Sequence, residues 1–323
     1  MAERADTTQS QALVPYIGTG DEGAEAWTSM ARGERRRTAL AALQERNTHI
    51  LWSLTEAWVR TFGKAGATVA DDTIRSYRTG VLRLLAAWAQ HDLLRPEPEA
   101  AAVWVRGLER AGLKPATVNA RVSAGRALYA ALRWAGATSV DPFADVHVAT
   151  DTTPPWEKRS PYEEEELTAL LRVAENPLDR VLVLLGAHTG LRAQECVDLR
   201  WADVDLVRRR LTVRRGKGGK ARSVAVSATL ARALQAAPRE TSGFVLPYRR
   251  PITAWRHMRT LCTAAGVAPK GVHALRHSAG TRLYAETSDL ETTARHLGHS
   301  TLETARVYAK WSDRRLNETV GEW

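Results

Sequence analysis

Four short segments in the last third of the chain hold its most chemically capable side chains. They are Thr189-Gly190-Leu191-Arg192, Gly216-Lys217-Gly218, His273-Ala274-Leu275-Arg276-His277 and Leu297-Gly298-His299, and Tyr308 follows the last by nine positions. Arginine forks match two non-bridging phosphate oxygens and keep their charge at any working pH. A lysine or histidine can pass a proton to a leaving oxygen. A tyrosine can attack phosphorus when cations or a base stand close, because a free phenol with a pKa of about 10 stays protonated at neutral pH. Together these residues can hold a phosphodiester and attack it with a phenol oxygen, with no acidic metal cage.

Taken singly, each residue has a plainer reading. Lys217 could be a solvated turn residue, and Tyr308 could fill a core. His273 and His277 stand four apart, the spacing of two metal ligands on one helical face. Against a metal, the residues between them are Ala274, Leu275 and Arg276, which supply no acidic base and a cation that would crowd the ion. His296 and His299 could complete such a site. His273 and Arg276, three apart, would share a helix face.

These residues need elements to hold them. Ile74, Tyr77, Val81, Leu84, Leu85 and Trp88 recur at spacings of three and four, predicting a helix with one buried face. Pro115 suits a first helical turn and opens a second such segment, through Val118, Val122, Leu128, Tyr129 and Leu132 to Gly136. Further helices are expected over Leu51–Phe62 and Ala100–Ala111. Residues 1–45 show little periodicity and read as a mobile N-terminal arm, with partial helix from Arg35. Residues 46–148 read as a helical domain, 149–160 as a linker broken by Pro154 and Pro155, and 161–323 as a second domain with a C-terminal tail. Ser160-Pro161-Tyr162-Glu163 reads as a capping box with Ser160 at the cap, and the acidic run to Glu166 as a solvated first turn. Leu211 and Val213, then Val224 and Val226, alternate with polar residues on either side of Arg215–Lys220, predicting a hairpin with a glycine-rich tip. Another strand is expected near Val204–Leu206.

The 323 residues carry 46 basic and 36 acidic side chains, a net charge of +10. Residues 1–156 contribute +1 and residues 157–323 contribute +9, so the second half favours a polyanionic partner. The longest apolar stretch, around Val181–Leu185, is far shorter than the roughly 20 residues of a membrane span. Cys196 and Cys262 have no metal-like spacing. A reduced, cytoplasmic protein away from membranes is expected, associated with the nucleoid.

Over about residues 46–315 the chain resembles the tyrosine recombinase, or phage integrase, family, with its motifs in the family's order. The resemblance implies a mainly α protein: an N-terminal helical, SAM-like core-binding domain plus an α+β catalytic domain with a small antiparallel sheet, closing as a C-shaped clamp on DNA. It implies that Arg192 and Arg276 clamp phosphate, that Lys217 protonates the leaving 5′ oxygen, and that His273 and His299 serve proton transfer and phosphate contact. Tyr308 would become joined to a 3′ phosphate, Glu195 would support the site, and His277 would pack beside it. No cofactor is implied. Lys114, Arg121, Arg126 and Lys220 are candidate DNA contacts.

The function implied is site-specific recombination of double-stranded DNA through a Holliday junction, on a homo- or hetero-tetramer. A second recombinase or accessory protein could take part. The purpose would be chromosome dimer resolution, as in Xer-type enzymes, or integration and excision of a mobile element. The chain beyond Tyr308, with Arg314, Arg315 and Trp323, would dock on a neighbouring subunit or on its own. Other readings of the same residues are a DNA-binding regulator without catalysis and a topoisomerase-like enzyme that relaxes DNA.

Overall fold

The computed structural model describes residues 16–154, 160–214, 221–239, 241–298, 302 and 305–311. The chain divides into two compact units, Met1–Thr152 and Thr153–Trp323, and the division falls inside the expected linker.

The first unit is helical. Its described helices are α1 (Gly20–Ser29), α2 (Arg32–Gln44), α3 (Thr48–Phe62), α4 (Asp71–Ala87), α5 (Ala100–Arg110) and α6 (Pro115–Ala135). Helix α3 runs through the centre: Ile50, Leu51, Trp52, Leu54, Ala57 and Val59 are all buried. Asn47 caps it by accepting the Ile50 N–H at 3.1 Å. Helices α4 and α6 pack together along the apolar faces read from their spacing. An aromatic cluster closes the core, with Trp88 stacked on Phe143 at 5.9 Å between ring centroids and Tyr129 edge-on to Trp88 at 6.2 Å.

Residues 20–44 correct the expectation of a mobile arm. Trp27 is fully buried and donates its indole N–H to Ser53 Oγ at 3.0 Å, while Ala39, Ala42 and Leu43 enter the same core. One large aromatic anchor and a few small residues dock these helices. That arrangement leaves no strong apolar period in a segment rich in Arg and Glu. Residues 1–15 of the expected arm lie outside the described residues.

The second unit contains α7 (Glu164–Val173), α8 (Pro177–Thr189), α9 (Ala193–Asp198), α10 (Ala228–Ala236), α11 (Pro251–Ala264), α12 (Val272–Thr287), α13 (Leu290–Leu297) and α14 (Arg306–Trp311). Strands β1 (Val204–Asp205), β2 (Arg210–Val213) and β3 (Arg222–Ala225) form an antiparallel sheet in that order. Val213 pairs with Arg222 and Leu211 with Val224. Helix α8 is the central element, with Val181 to Leu185 all buried, so the longest apolar stretch is a core helix.

The capping box expected at Ser160 lies three residues later. Glu163 is the cap of α7, and the Glu166 carboxylate accepts the Glu163 N–H at 2.8 Å. Tyr162 is drawn into the core instead of the first turn, its hydroxyl accepting the Lys270 N–H and its carbonyl the Ser278 hydroxyl. No helix among the described residues is long and apolar enough to cross a membrane.

Candidate active site

Three helix ends of the second unit converge around two arginines. Helix α8 stops at Gly190, whose φ of +63° is one that L side chains rarely adopt. A Cβ there would also stand 2.1 Å from Leu297 Cδ2, so glycine is required twice over. The chain then turns, and Arg192 becomes the cap residue of α9.

Arg276, on α12, is 3% exposed. It donates from Nη1 to the Gly190 carbonyl at 2.5 Å and from Nη2 to the Leu297 carbonyl at 2.8 Å. Both carbonyls belong to helix C-termini, where unpaired C=O groups and the helix dipole favour a cation. Arg192 reaches the same end of α13, donating from Nη2 to the Gly298 carbonyl at 3.1 Å. Burial, followed by the like charge of Arg192, lowers the Arg276 pKa to about 10, which still leaves it cationic at neutral pH.

Tyr308, on α14, is buried at 1% exposure, close enough to Arg276 and Arg192 to feel both positive charges. Burial raises its pKa, while Arg276 and Arg192 pull it down. Its ring lies against Gly280 so closely that a Cβ there would be 2.5 Å from Cε1 and Cζ. The His277 ring stands 6.0 Å from the Tyr308 ring and 6.2 Å from that of His273, which is exposed on the first turn of α12. His277 thus packs beside the site.

Glu195 lies under Arg192 and is buried. It pairs with Arg192 at 2.9 Å and with Arg222 at 2.8 Å, the latter a residue that the sequence reading missed. A signal was present. Arg222 shares strand parity with Val224 and Val226, so an arginine occupies a position on the inward face.

The structure therefore brings together Arg192, Glu195, Arg276 and Tyr308, with His277 and then His273 alongside. Lys217, Lys220 and His299 lie outside the described residues, as does the chain beyond Trp311. His296, half-buried in α13, lines a small pocket with His188. Among the described residues, no group of three or more His, Cys, Asp or Glu could hold a metal ion.

The candidate DNA contacts of the first unit separate. Arg126 is committed within its own unit, donating to the Phe143 carbonyl at 3.3 Å and the Val146 carbonyl at 2.8 Å, so it anchors the segment after α6. Lys114 is exposed at the cap of α6. Arg121 lines a groove of about 410 Å³ between α4 and α6, with Arg75, Arg83, Ser76, Thr79 and Thr117. Partial burial and then the charge of Arg83 lower the Arg121 pKa, so two cations face one another there.

Residues 162–315 match the family model described as the phage integrase family, and residues 65–136 match its N-terminal SAM-like domain. The chain is 31% identical over 236 residues to the tyrosine recombinase XerC of Mycobacterium leprae, covering 66% of this chain and 78% of that protein. It is 30% identical over 170 residues to the tyrosine recombinase XerA of Pyrococcus horikoshii, covering 49% of this chain and only 59% of that relative's length. Among solved structures, XerH site-specific recombinase bound to palindromic difH substrate aligns with a TM-score of 0.64 and 18% identity, over 93% of both chains. A lambda integrase dimer bound to a COC′ core site aligns with a TM-score of 0.63 and 18% identity, over 79% of this chain and 76% of that one.

Proposed function

The chain belongs to the phage integrase family, the tyrosine recombinases, and from that premise we propose that it cuts and rejoins double-stranded DNA at a specific site. The observation that carries this reading is Tyr308 buried beside Arg276 and Arg192, whose guanidiniums are held at one helix end. In the proposed reaction, the phenol gives its proton to a site histidine as its oxygen attacks the phosphorus, and the 5′ oxygen leaves with a proton from Lys217. A 3′-phosphotyrosyl bond remains, and a 5′ hydroxyl from a second duplex reverses the step. The arginines stabilise charge on the non-bridging oxygens as it develops, and positioning supplies most of the rest.

The bond between enzyme and DNA preserves the free energy of the broken phosphodiester, so resealing draws on no ATP. Exchange between duplexes through a Holliday junction, on an assembly of four subunits, completes the proposal. The α4–α6 groove, with three arginines and Asp72 as its one acidic lining residue, suits a phosphate backbone.

Tyr308→Phe tests the reading. The variant is expected to bind DNA with wild-type affinity and to form no covalent adduct in a denaturing gel. Cleavage retained in Tyr308→Phe would remove the nucleophile from the scheme. Wild-type protein that relaxes supercoils without giving recombinant joints would favour a relaxing enzyme.

A further inference from the structure

Glu195 accepts four hydrogen bonds. Its Oε1 takes Arg192 Nη1 at 2.9 Å and Arg222 Nη1 at 2.8 Å; its Oε2 takes the Arg192 backbone N–H and Arg222 Nη2, both at 2.8 Å. A carboxylate offers about four such sites, so this one is saturated. Arg192 is thereby aimed by Glu195 on one side and by the Gly298 carbonyl on the other.

Arg222 supplies two of these four bonds. Its guanidinium holds both carboxylate oxygens in a two-pronged contact that a lysine cannot reproduce. The side chain is 13% exposed and lies against Gly298, where a Cβ would come within 2.8 Å of Arg222 Cδ. Its Nε is buried without a hydrogen-bond partner among the described residues. A buried unsatisfied donor is destabilising. An arginine present only to balance the Glu195 charge would not need to bear that cost.

We propose that Arg222 is a positioning residue: by gripping both oxygens of Glu195 it locks the carboxylate that aims the Arg192 guanidinium at the scissile phosphate. This rests on the recombinase reading of the site.

Arg222→Lys keeps the charge and loses the fork. It is compared with wild type, Glu195→Gln, the double variant and Lys217→Ala on nicked duplexes cut from the locus where wild-type protein forms adducts. Melting temperature and DNA affinity are measured alongside. Arg222→Lys is expected to bind DNA within about twofold of wild type and to cleave about 10- to 100-fold more slowly, the size of effect that orienting contacts have elsewhere. The double variant should be no slower than the slower single one, because both residues act through one contact. A 5′-thio leaving group should restore Lys217→Ala but not Arg222→Lys, whose defect lies at the phosphate. Wild-type cleavage by a folded Arg222→Lys, or its rescue by the thio substrate, overturns the proposal and leaves the recombinase reading standing. Wild-type protein that forms no adduct at any locus overturns both. If Arg222→Lys melts early, its rate is read per folded molecule; a normal rate on that basis also overturns the proposal.

Discussion

Burial by itself would raise the pKa of the Glu195 carboxyl, yet hydrogen bonds from Arg222 and the Arg192 backbone, with both positive charges, bring it from 4.5 down to about 2. A carboxyl whose pKa is depressed in the folded state stabilises the fold fully above its unfolded value and loses that contribution as pH falls through the folded value. The window is therefore pH 4.5 down to about 2. Urea midpoints across this range should fall for wild type, and Glu195→Gln should remove part of that slope. An unchanged slope would mean that the site does not hold Glu195 ionised. Gly280 makes a separate case. Alanine in a helix interior normally gains about 1 kcal/mol over glycine, but here the added Cβ would drive into the Tyr308 ring. Gly280→Ala should cut DNA about 100-fold more slowly with unchanged affinity, since small misplacements of a reacting group cost that much. Single-turnover cleavage beside a binding isotherm checks it, and a wild-type rate would show that the ring has room to move.

Helices α1 and α2 pack on the rest of the first unit, and in α1 Trp27 is the one large buried side chain. Trp27 is fully buried and hydrogen-bonded, so Trp27→Ala should cost about 3–5 kcal/mol in urea unfolding. A loss below about 1 kcal/mol, the range of ordinary surface changes, would contradict the docking of α1. The elements legible in the sequence are those with a sustained period. Helices α4 and α6 carry their apolar faces at helical spacing, and β2 and β3 alternate as a hairpin should. The ends of α8 and α13 were marked by Gly190 and Gly298. Less legible were elements fixed by tertiary partners. Trp27 is one residue without a period, Tyr162 is pulled from a first turn into the core by Lys270 and Ser278, and the commitment of Arg126 to local carbonyls leaves no trace in spacing. Of the residues gathered there, Arg192, Arg276 and Tyr308 stood out by type and spacing, and Glu195 through the family resemblance alone. Arg222 required the strand parity to be taken seriously.

At the scale of the whole chain, the net charge of each half hides a local cluster of cations. Residues 1–156 carry only +1, yet Arg75, Arg83 and Arg121 gather in one groove of that half. Each phosphate contact releases counterions, so Arg83→Ala and Arg121→Ala should each weaken binding and reduce the slope of log affinity against log salt by about 1. Titrations at several salt concentrations check this, and unchanged slopes would place the DNA elsewhere. The measurement that bears most directly on the central claim is covalent trapping of wild-type protein on DNA. The reaction is stopped by denaturation, the attached fragments are sequenced and the modified peptide is identified by mass spectrometry. The expected result is adducts on Tyr308 at one recurrent locus. An adduct on another residue, or none despite confirmed binding to DNA, would contradict it.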